Sequence, residues 1–128
     1  MINLKPTICN LCGGEVIFTS NSEIYGREYG SGRCYLCTEC GAYVGTHIPV
    51  PDRAMGILAN AEMRMKKRAC HSMFDKMWTS KRERHLLYRK LANQMEIPMH
   101  ECHFGYMDIP QLDEAILILE EWSKENGR

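Results

Sequence analysis

Two short stretches of the chain carry cysteines in one repeated pattern. Residues 9–16 read CNLCGGEV and residues 37–44 read CTECGAYV, so both follow C-x-x-C-G-x-x-V. Glycine after the second cysteine tolerates the positive φ of a tight turn, in which backbone N–H groups point at thiolate sulfur. Four thiolates at this spacing are typical of a tetrahedral structural zinc site with no open position for catalysis. The pattern predicts one Zn²⁺ ion bound by Cys9, Cys12, Cys37 and Cys40.

A third cysteine, Cys34, precedes the second pair at the same three-residue interval. It lacks the trailing glycine of the repeat and falls in the strand that leads into the turn. The repeat therefore assigns Cys37 and Cys40 as ligands and leaves Cys34 as a small apolar residue of the core. Ligand exchange between Cys34 and Cys37 is the minor alternative.

A second group of candidate residues combines two histidines with a carboxylate. A helix places His71, Phe74, Asp75 and Trp78 on one face, and His103 follows in a later loop. His71 and Asp75 could act as a base and its orienting carboxylate in a hydrolytic site, which also requires a nucleophile or an open metal. The favoured interpretation is a structural His–Asp hydrogen bond.

The segment around His103 also has the spacing of metal ligands. His100, Cys102 and His103 could form a second site together with His71 or Cys70. Adjacent side chains rarely converge on one small cation, so we favour a loop in which His103 hydrogen-bonds the helical core.

Basic residues concentrate in the middle of the chain. Residues 51–95 hold eleven Lys or Arg against four acidic residues, a net charge of +7, whereas residues 96–128 hold two against eight, a net charge of −6. Such a segment can bind nucleic-acid phosphates, or it can be solvated or paired with the acidic tail. The candidate phosphate contacts are Arg64, Lys67, Arg68, Lys81, Arg82 and Arg84.

Aromatic residues add a second indication of nucleic-acid binding. Tyr25 and Tyr29 lie between the two cysteine pairs and could stack on bases, although both could equally be part of a core.

The cysteine repeat lies among predicted strands. Residues 15–19, 25–34 and 42–48 have alternating, β-branched or aromatic content around glycine-rich turns. Pro49 and Pro51 disfavour helix and mark a connector. We predict a β-hairpin zinc ribbon over residues 1–50, which needs the metal because its core is small.

The remainder, residues 51–128, is predicted to form three helices. The first ends near Trp78, the second is capped by Thr79 or Ser80 and stops before Pro98, and the third begins around Pro110 and ends before Gly127. The inward face predicted for the first helix is Leu58, Ala61, Met65, Ala69, Met73 and Met77. The faces predicted for the other two are Leu87, Leu91 and Met95, then Leu112, Ala115, Ile116, Leu119 and Trp122.

The overall composition is that of an ordered, soluble protein. The 128 residues are 45% hydrophobic and 25% charged, with no apolar run long enough to span a bilayer. The opening MINLKPTIC does not read as a secretory signal, so we expect a cytoplasmic protein whose seven cysteines are reduced. Nothing indicates a membrane partner or a small-molecule substrate.

These patterns together resemble a zinc-finger-containing, zinc-ribbon domain family of bacteria, prophages and phages, to which no reaction is assigned. The resemblance runs from Cys9 to about Ile118 and implies a fold and a zinc site. Where members of the family continue Cys-His-Ile-Gly, this chain has Phe104. The matching stretches are Cys9-x-x-Cys12-Gly, Ser22-Glu-Ile-Tyr-Gly26, Cys37-x-x-Cys40-Gly-Ala-Tyr-Val-Gly45, Gly56-Ile-Leu-Ala59, His71-Ser-Met-Phe-Asp75 with Trp78, Tyr88-x-x-Leu91-Ala92 and Cys102-His103-Phe-Gly105.

We therefore expect an α+β protein in which a four-cysteine zinc ribbon packs against a three-helix unit. Its expected function is non-enzymatic binding of nucleic acid. The main alternative is a phage-type adaptor or inhibitor that binds a host protein, and the third is a hydrolytic enzyme that uses His71, Asp75 and His103.

Overall fold

The chain folds into two compact units that divide between Ala61 and Glu62. The structure is a computed structural model and describes residues 2–125. The N-terminal unit holds a small antiparallel sheet and the cysteine repeat, and the C-terminal unit is helical. The predicted α+β class is confirmed.

The N-terminal unit is built on a three-stranded sheet in the order β1 (Val16–Ser20), β2 (Arg33–Cys37) and β3 (Tyr43–Gly45). A one-turn helix, α1 (Ser22–Tyr25), follows β1 and ends at Gly26, whose φ of 81° only glycine adopts easily. The stretch 25–34, predicted as a strand, contributes only its last two residues to β2. The glycines at positions 26, 30 and 32 all have positive φ, so the chain turns there instead of extending.

The register of the sheet determines which side chains enter the core. Val16 pairs with Cys37 and Tyr35 pairs with Val44, so these four side chains share one face. The core that forms on this face includes two of the predicted zinc ligands. Its buried members are Cys9, Val16, Tyr35, Cys37, Ala42, Ala54 and Leu58.

Residues 51–60 belong to the N-terminal unit. The N–H of Ala54 donates to the carbonyl of Leu4 at 2.8 Å, and an isolated bridge joins Tyr43 to Ala59. These backbone contacts extend the unit to Ala61, beyond the change of pattern that the sequence shows after residue 50.

The C-terminal unit contains three helices, α2 (Ala61–Asp75), α3 (Lys81–Met95) and α4 (Ile109–Glu125). Two short 3-10 turns, Met99–Glu101 and Phe104–Tyr106, connect α3 to α4. The inward residues predicted for the second helix are buried or half-buried, as are those predicted for the third, whose end before Gly127 lies outside the described residues. The buried side chains are Met63, Cys70, Phe74, Tyr88, Leu91, Ala92, Met95, Cys102, Phe104, Met107, Leu112, Ala115, Leu119 and Trp122.

The inward face predicted for the first helix is only partly correct, because Met73 and Met77 are half-buried but the earlier helical residues of the face are exposed. Met65 is 58% exposed and Ala69 is exposed, whereas Met63 and Phe74 are fully buried. The predicted face begins at Leu58, which precedes α2 and packs in the core of the N-terminal unit. The buried face of α2 is therefore set by residues inside the helix, Met63, Cys70 and Phe74, and lies on a different side from the one predicted with Leu58.

Helix α3 begins at a capping box. The Ser80 hydroxyl accepts from the N–H of Glu83 at 3.2 Å, and the Glu83 carboxylate accepts from the N–H of Ser80 at 3.2 Å. The same carboxylate accepts from the hydroxyl and the N–H of Thr79, both at 2.7 Å. The predicted start of this helix is confirmed, because its orphan N–H groups find these partners locally.

Replacement of Ser80 by alanine should lower the free energy of unfolding by about 0.5–2 kcal/mol, since an N-cap acceptor is lost. Urea denaturation followed by circular dichroism would measure the change. Ser72→Ala, at an exposed position inside α2, is the matched control and should have little effect. Equal effects of the two substitutions would contradict the capping role.

No helix within residues 2–125 has both the length and the apolar content that are required to cross a membrane.

Candidate metal centre

The first cysteine pair lies on a tight turn that is closed by backbone hydrogen bonds. Cys9 donates its N–H to the carbonyl of Gly14 at 2.9 Å and accepts from the N–H of Gly13 at 3.0 Å. Two further N–H groups point at sulfur, from Leu11 to Cys9 Sγ and from Gly14 to Cys12 Sγ, both at 3.3 Å. Gly13 has a φ of 78°, which explains the glycine at this position of the repeat.

The second pair closes its turn with the same two backbone bonds. Cys37 donates its N–H to the carbonyl of Ala42 at 2.8 Å and accepts from the N–H of Gly41 at 3.1 Å. The N–H groups of Glu39 and Cys40 point at Cys37 Sγ, at 3.4 and 3.5 Å. Gly41 again has a φ of 78°. The sequence repeat is therefore a structural repeat of two zinc knuckles.

The two knuckles bring four sulfur atoms together. The Sγ atoms of Cys9, Cys12, Cys37 and Cys40 all lie within 4.8 Å of one another, with 3.8 Å between Cys9 and Cys40 and 3.5 Å between Cys12 and Cys37. Zn–S bonds of about 2.3 Å would place tetrahedral sulfurs about 3.8 Å apart. The donor set and its spacing fit one structural zinc ion, as predicted.

The electrostatics of the four thiols favour a bound cation. The N–H of Cys40, helped by that of Glu39, lowers the pKa of Cys37 to about 7. The N–H of Gly14 favours the thiolate of Cys12, but the hydrogen bond with Cys37 opposes it, and the net effect raises the pKa of Cys12 to about 12. Four thiolates at this separation need a positive charge between them, which a zinc ion supplies when it displaces the protons.

Cys34 lies outside the cluster. It is three residues before Cys37 in β2, so the two side chains point to opposite faces of the sheet. Cys34 is 1% exposed, and burial raises the pKa of its thiol, so it remains neutral.

Asn10 supports the metal centre, a role that was not predicted from the sequence. Its side chain donates to the carbonyl of Leu58 and accepts from the N–H of Leu58, both at 3.0 Å. This pair of bonds ties the first knuckle to the segment that precedes α2. The asparagine between two ligand cysteines could have indicated this role, because one side-chain amide can bond both the N–H and the carbonyl of another residue.

Gly14 is required by the close approach of the knuckles. A Cβ atom here would lie 2.5 Å from Cγ of Glu39 and 3.1 Å from Sγ of Cys37. The sequence could have indicated this requirement, because the first knuckle has a second glycine after its cysteine pair where the second knuckle has Ala42.

The predicted polar cluster forms in part. His71 packs edge-on against Phe104, with 4.9 Å between the ring centroids, and the carboxylate of Asp75 accepts from Nε1 of Trp78 at 3.1 Å. Among the described residues, no hydrogen bond joins His71 to Asp75, so the predicted His–Asp bond is not formed. His103 lies 6.0 Å from the ring of Tyr88.

The other cysteines are buried in the helical unit and make weak hydrogen bonds to backbone carbonyls. Cys70 Sγ lies 4.0 Å from the carbonyl of Leu112, and Cys102 Sγ lies 3.6 Å from that of Tyr88. Burial raises the pKa of both thiols to about 11. His100 faces Glu101 at 3.6 Å. Within residues 2–125, three or more metal-binding side chains converge only at the four-cysteine cluster.

The candidate phosphate contacts lie on two helices. On α2, Arg64 and Lys67 are half-buried and Arg68 is exposed. The other three, Lys81, Arg82 and Arg84, are exposed in the first turn of α3.

Comparison with known proteins identifies a family. No curated protein and no solved structure matches the chain significantly. The family model of a zinc-finger-containing domain matches residues 5–122. This range includes all four cysteines of the cluster and most of the three long helices. The chain therefore belongs to the family of zinc-finger-containing domains.

Proposed function

We propose that this zinc-binding protein binds nucleic acid through cations of α2 and α3. Arg68, Lys81 and Arg82 are exposed, and none of them forms an ion pair within the part of the chain that the structure describes. Cations without acidic partners can neutralise phosphates and release condensed counterions.

The acidic helix α4 leaves this charge uncompensated. Asp113 of α4 pairs with Lys66 of α2, which is not one of the candidate contacts. Lys124 pairs with Glu121 within α4 itself. Internal pairing with the acidic tail, the competing explanation for the basic segment, therefore does not account for Arg68, Lys81 or Arg82.

The position of three cations at the start of α3 is also unfavourable for folding. The N-terminus of a helix carries a partial positive charge, which Lys81, Arg82 and Arg84 add to instead of neutralising. Such departures from local stability tend to occur where a protein binds something. Glu83 is the one acidic residue in this turn, and a polyanion lying across this end of the helix would add negative charge beside the three cations.

Lys67 is a weaker candidate for phosphate binding than its charge suggests. Its Nζ points to the carbonyl of Gly105 at 3.4 Å, and burial, with a smaller effect of Arg64, lowers its pKa to about 8. The favoured phosphate contacts are therefore Arg68, Lys81, Arg82 and Arg84.

The N-terminal unit offers groups suited to stacking on bases. Tyr25 and Tyr29 are 51% and 48% exposed and meet edge-to-face, with 5.5 Å between the ring centroids. The guanidinium of Arg27 lies 4.7 Å from the centroid of Tyr29. Exposed aromatic rings beside an arginine favour single-stranded nucleic acid, whose unpaired bases can stack. The zinc ion has a structural role in this proposal, since four cysteines fill its coordination shell.

The test is fluorescence anisotropy with labelled single- and double-stranded DNA and RNA over a series of salt concentrations. Binding should weaken steeply with salt, and the triple variant Arg68→Gln, Lys81→Gln, Arg82→Gln should reduce the log–log salt slope by about 2–3. The control Arg33→Gln, Arg53→Gln, Lys124→Gln removes the same total charge from other exposed positions and should leave most of the slope intact.

Absence of salt-sensitive binding near about 50 mM salt would overturn the proposal. An equal loss in the two triple variants would also contradict it, because only net charge would then matter. A protein partner recovered from nuclease-treated lysate, in the absence of nucleic-acid binding, would favour the adaptor alternative.

A further inference from the structure

Polar side chains from α2, α3 and the α3–α4 connection border one pair of aromatic rings, Tyr88 and Phe104, in the C-terminal unit. The guanidinium of Arg84 lies 4.9 Å from the centroid of the Tyr88 ring and 5.8 Å from that of Trp78. His103 lies 6.0 Å from Tyr88, between ring centroids. His71 packs at 4.9 Å against Phe104, whose ring centroid is in turn 6.0 Å from Tyr88. We call His71, Arg84 and His103 the Arg84 cluster.

Arg84 acts electrostatically on both histidines of the cluster. Burial lowers the pKa of His71, Arg84 and Lys67 lower it further, and Asp75 opposes them. Burial also lowers the pKa of His103, again with the help of Arg84. The charge of Arg84 therefore disfavours the charged form of either imidazole, as expected for groups that border the same two rings.

Negative charge is scarce in this region. Asp75 is the acidic residue that acts on His71 and Tyr88, and its carboxylate already accepts a hydrogen bond from Trp78. Arg84 forms no ion pair within the described part of the chain. Both imidazoles keep part of their surface open to solvent. Arg84, which has no ion-pair partner there, and two imidazoles that can each take up a proton can together attract a second anion from solution.

We infer that the Arg84 cluster binds a phosphate group. The guanidinium presents several N–H donors in a plane, and the aromatic rings of Tyr88 and Trp78 hold it in place through cation–π contacts. His71 on α2 and His103 on the α3–α4 connection supply two further donors from other elements. A phosphate group has enough oxygens to accept from three donors, whereas a planar carboxylate is satisfied by the arginine fork alone.

Binding at this site should be linked to protons. The free protein disfavours charged His71 and His103, and a bound phosphate favours the charged forms, so phosphate should raise both pKa values and bind more tightly as the pH falls. Tyr106 packs against His103, with 4.8 Å between the ring centroids. The other titratable groups nearby are Lys67, Asp75, Tyr88 and Cys102. The last two stay neutral near pH 7, because burial raises the pKa of each.

The phosphate could come from a mononucleotide or from the backbone of a polynucleotide. The site does not require the proposed function, because one phosphate group is enough to fill it. If nucleic acid does bind, the cluster is where a backbone phosphate would make its most specific contact with this unit.

The test is an NMR titration of the histidine side chains in the zinc-loaded full chain, with inorganic phosphate, AMP and a short oligonucleotide in separate arms at pH 6 and pH 8. Sodium acetate at matched ionic strength is the reference anion. The chain has five histidines, so His47, His85 and His100 serve as internal controls. Phosphate and AMP should shift the resonances of His71 and His103 selectively, and more strongly at pH 6.

Arg84→Gln should weaken phosphate binding about tenfold to a hundredfold, since a charge-assisted hydrogen bond is lost. Arg89→Gln, at an exposed position on the same helix, is the matched control and should leave the shifts unchanged. His103→Gln is a second variant at an exposed position, and it should weaken binding and reduce the pH dependence.

Equal shifts at all five histidines, or none with phosphate and AMP, would overturn the site even if salt-dependent binding of oligonucleotides persists. Selective shifts with phosphate and AMP in the absence of any oligonucleotide binding would support the site and contradict the proposed function. Acetate shifts equal to those of phosphate would overturn the assignment of phosphate as the ligand.

Discussion

Replacing Cys37 with serine is expected to remove the zinc ion and to unfold the N-terminal unit. Cys37 Sγ lies 3.5 Å from Cys12 Sγ and accepts hydrogen bonds from two N–H groups of its own knuckle. Its replacement therefore removes one of the four zinc ligands together with these two hydrogen bonds to sulfur. Structural zinc sites contribute about 10–16 kcal/mol of binding free energy, whereas a unit of about 60 residues is marginally stable by itself. Zinc content by mass spectrometry and the dispersion of amide NMR signals from residues 2–61 would measure both effects.

The matched control is Cys34→Ala, which removes a cysteine from the same strand but from the opposite face. It should retain one zinc ion per chain and a folded N-terminal unit. Exhaustive chelation of the wild-type protein should reproduce the effect of Cys37→Ser. A unit that stays folded after chelation, or a Cys34→Ala variant that loses zinc, would contradict the assignment of the four ligands.

Replacing Phe74 with alanine is expected to destabilise the C-terminal unit by about 3–5 kcal/mol. Phe74 is fully buried on α2 and packs at 4.3 Å against the ring of Tyr88 and at 5.6 Å against that of Phe104. Truncation removes the buried area of one ring and leaves a cavity beside two others. Denaturant unfolding, followed by the tryptophan fluorescence of Trp78 and Trp122, would measure the loss.

Met65→Ala on the same helix is the control, because its side chain is 58% exposed. It should change the free energy of unfolding by no more than about 0.5 kcal/mol. The comparison also tests which face of α2 is buried, since the sequence pattern predicts Met65 on the inner face. A larger effect at Met65 than at Phe74 would reverse the observed orientation of the helix.

The features that could be predicted from sequence are those that depend on neighbouring residues. The two knuckles follow from a cysteine pair and the glycine after it, because the turn closes within six residues, from Cys9 to Gly14. The start of α3 follows from Ser80 and Glu83, whose side chains bond within one turn. In each case the competing conformations are few, so residue type and spacing are enough.

The phase of α2 and the roles of Asn10 and Gly14 depended on partners elsewhere in the chain. Leu58 continues the apolar period of α2, yet its backbone is held by Asn10 in the first knuckle. Periodicity within one segment cannot distinguish these environments, because an apolar residue is equally suited to either core.

By itself the sequence determined the ligands, the α+β class and the three long helices of this protein. These features depend on local spacing, turn chemistry and periodicity. Tertiary structure alone decided that His71 and His103 border the same pair of rings, Tyr88 and Phe104, and that Asp75 bonds to Trp78 instead of His71. Such contacts join residues that are separated by a turn, a helix or a loop, and they form only when whole elements pack together. Each residue contributes only a small part of the free energy of that packing, so the contact cannot be predicted from the residue alone.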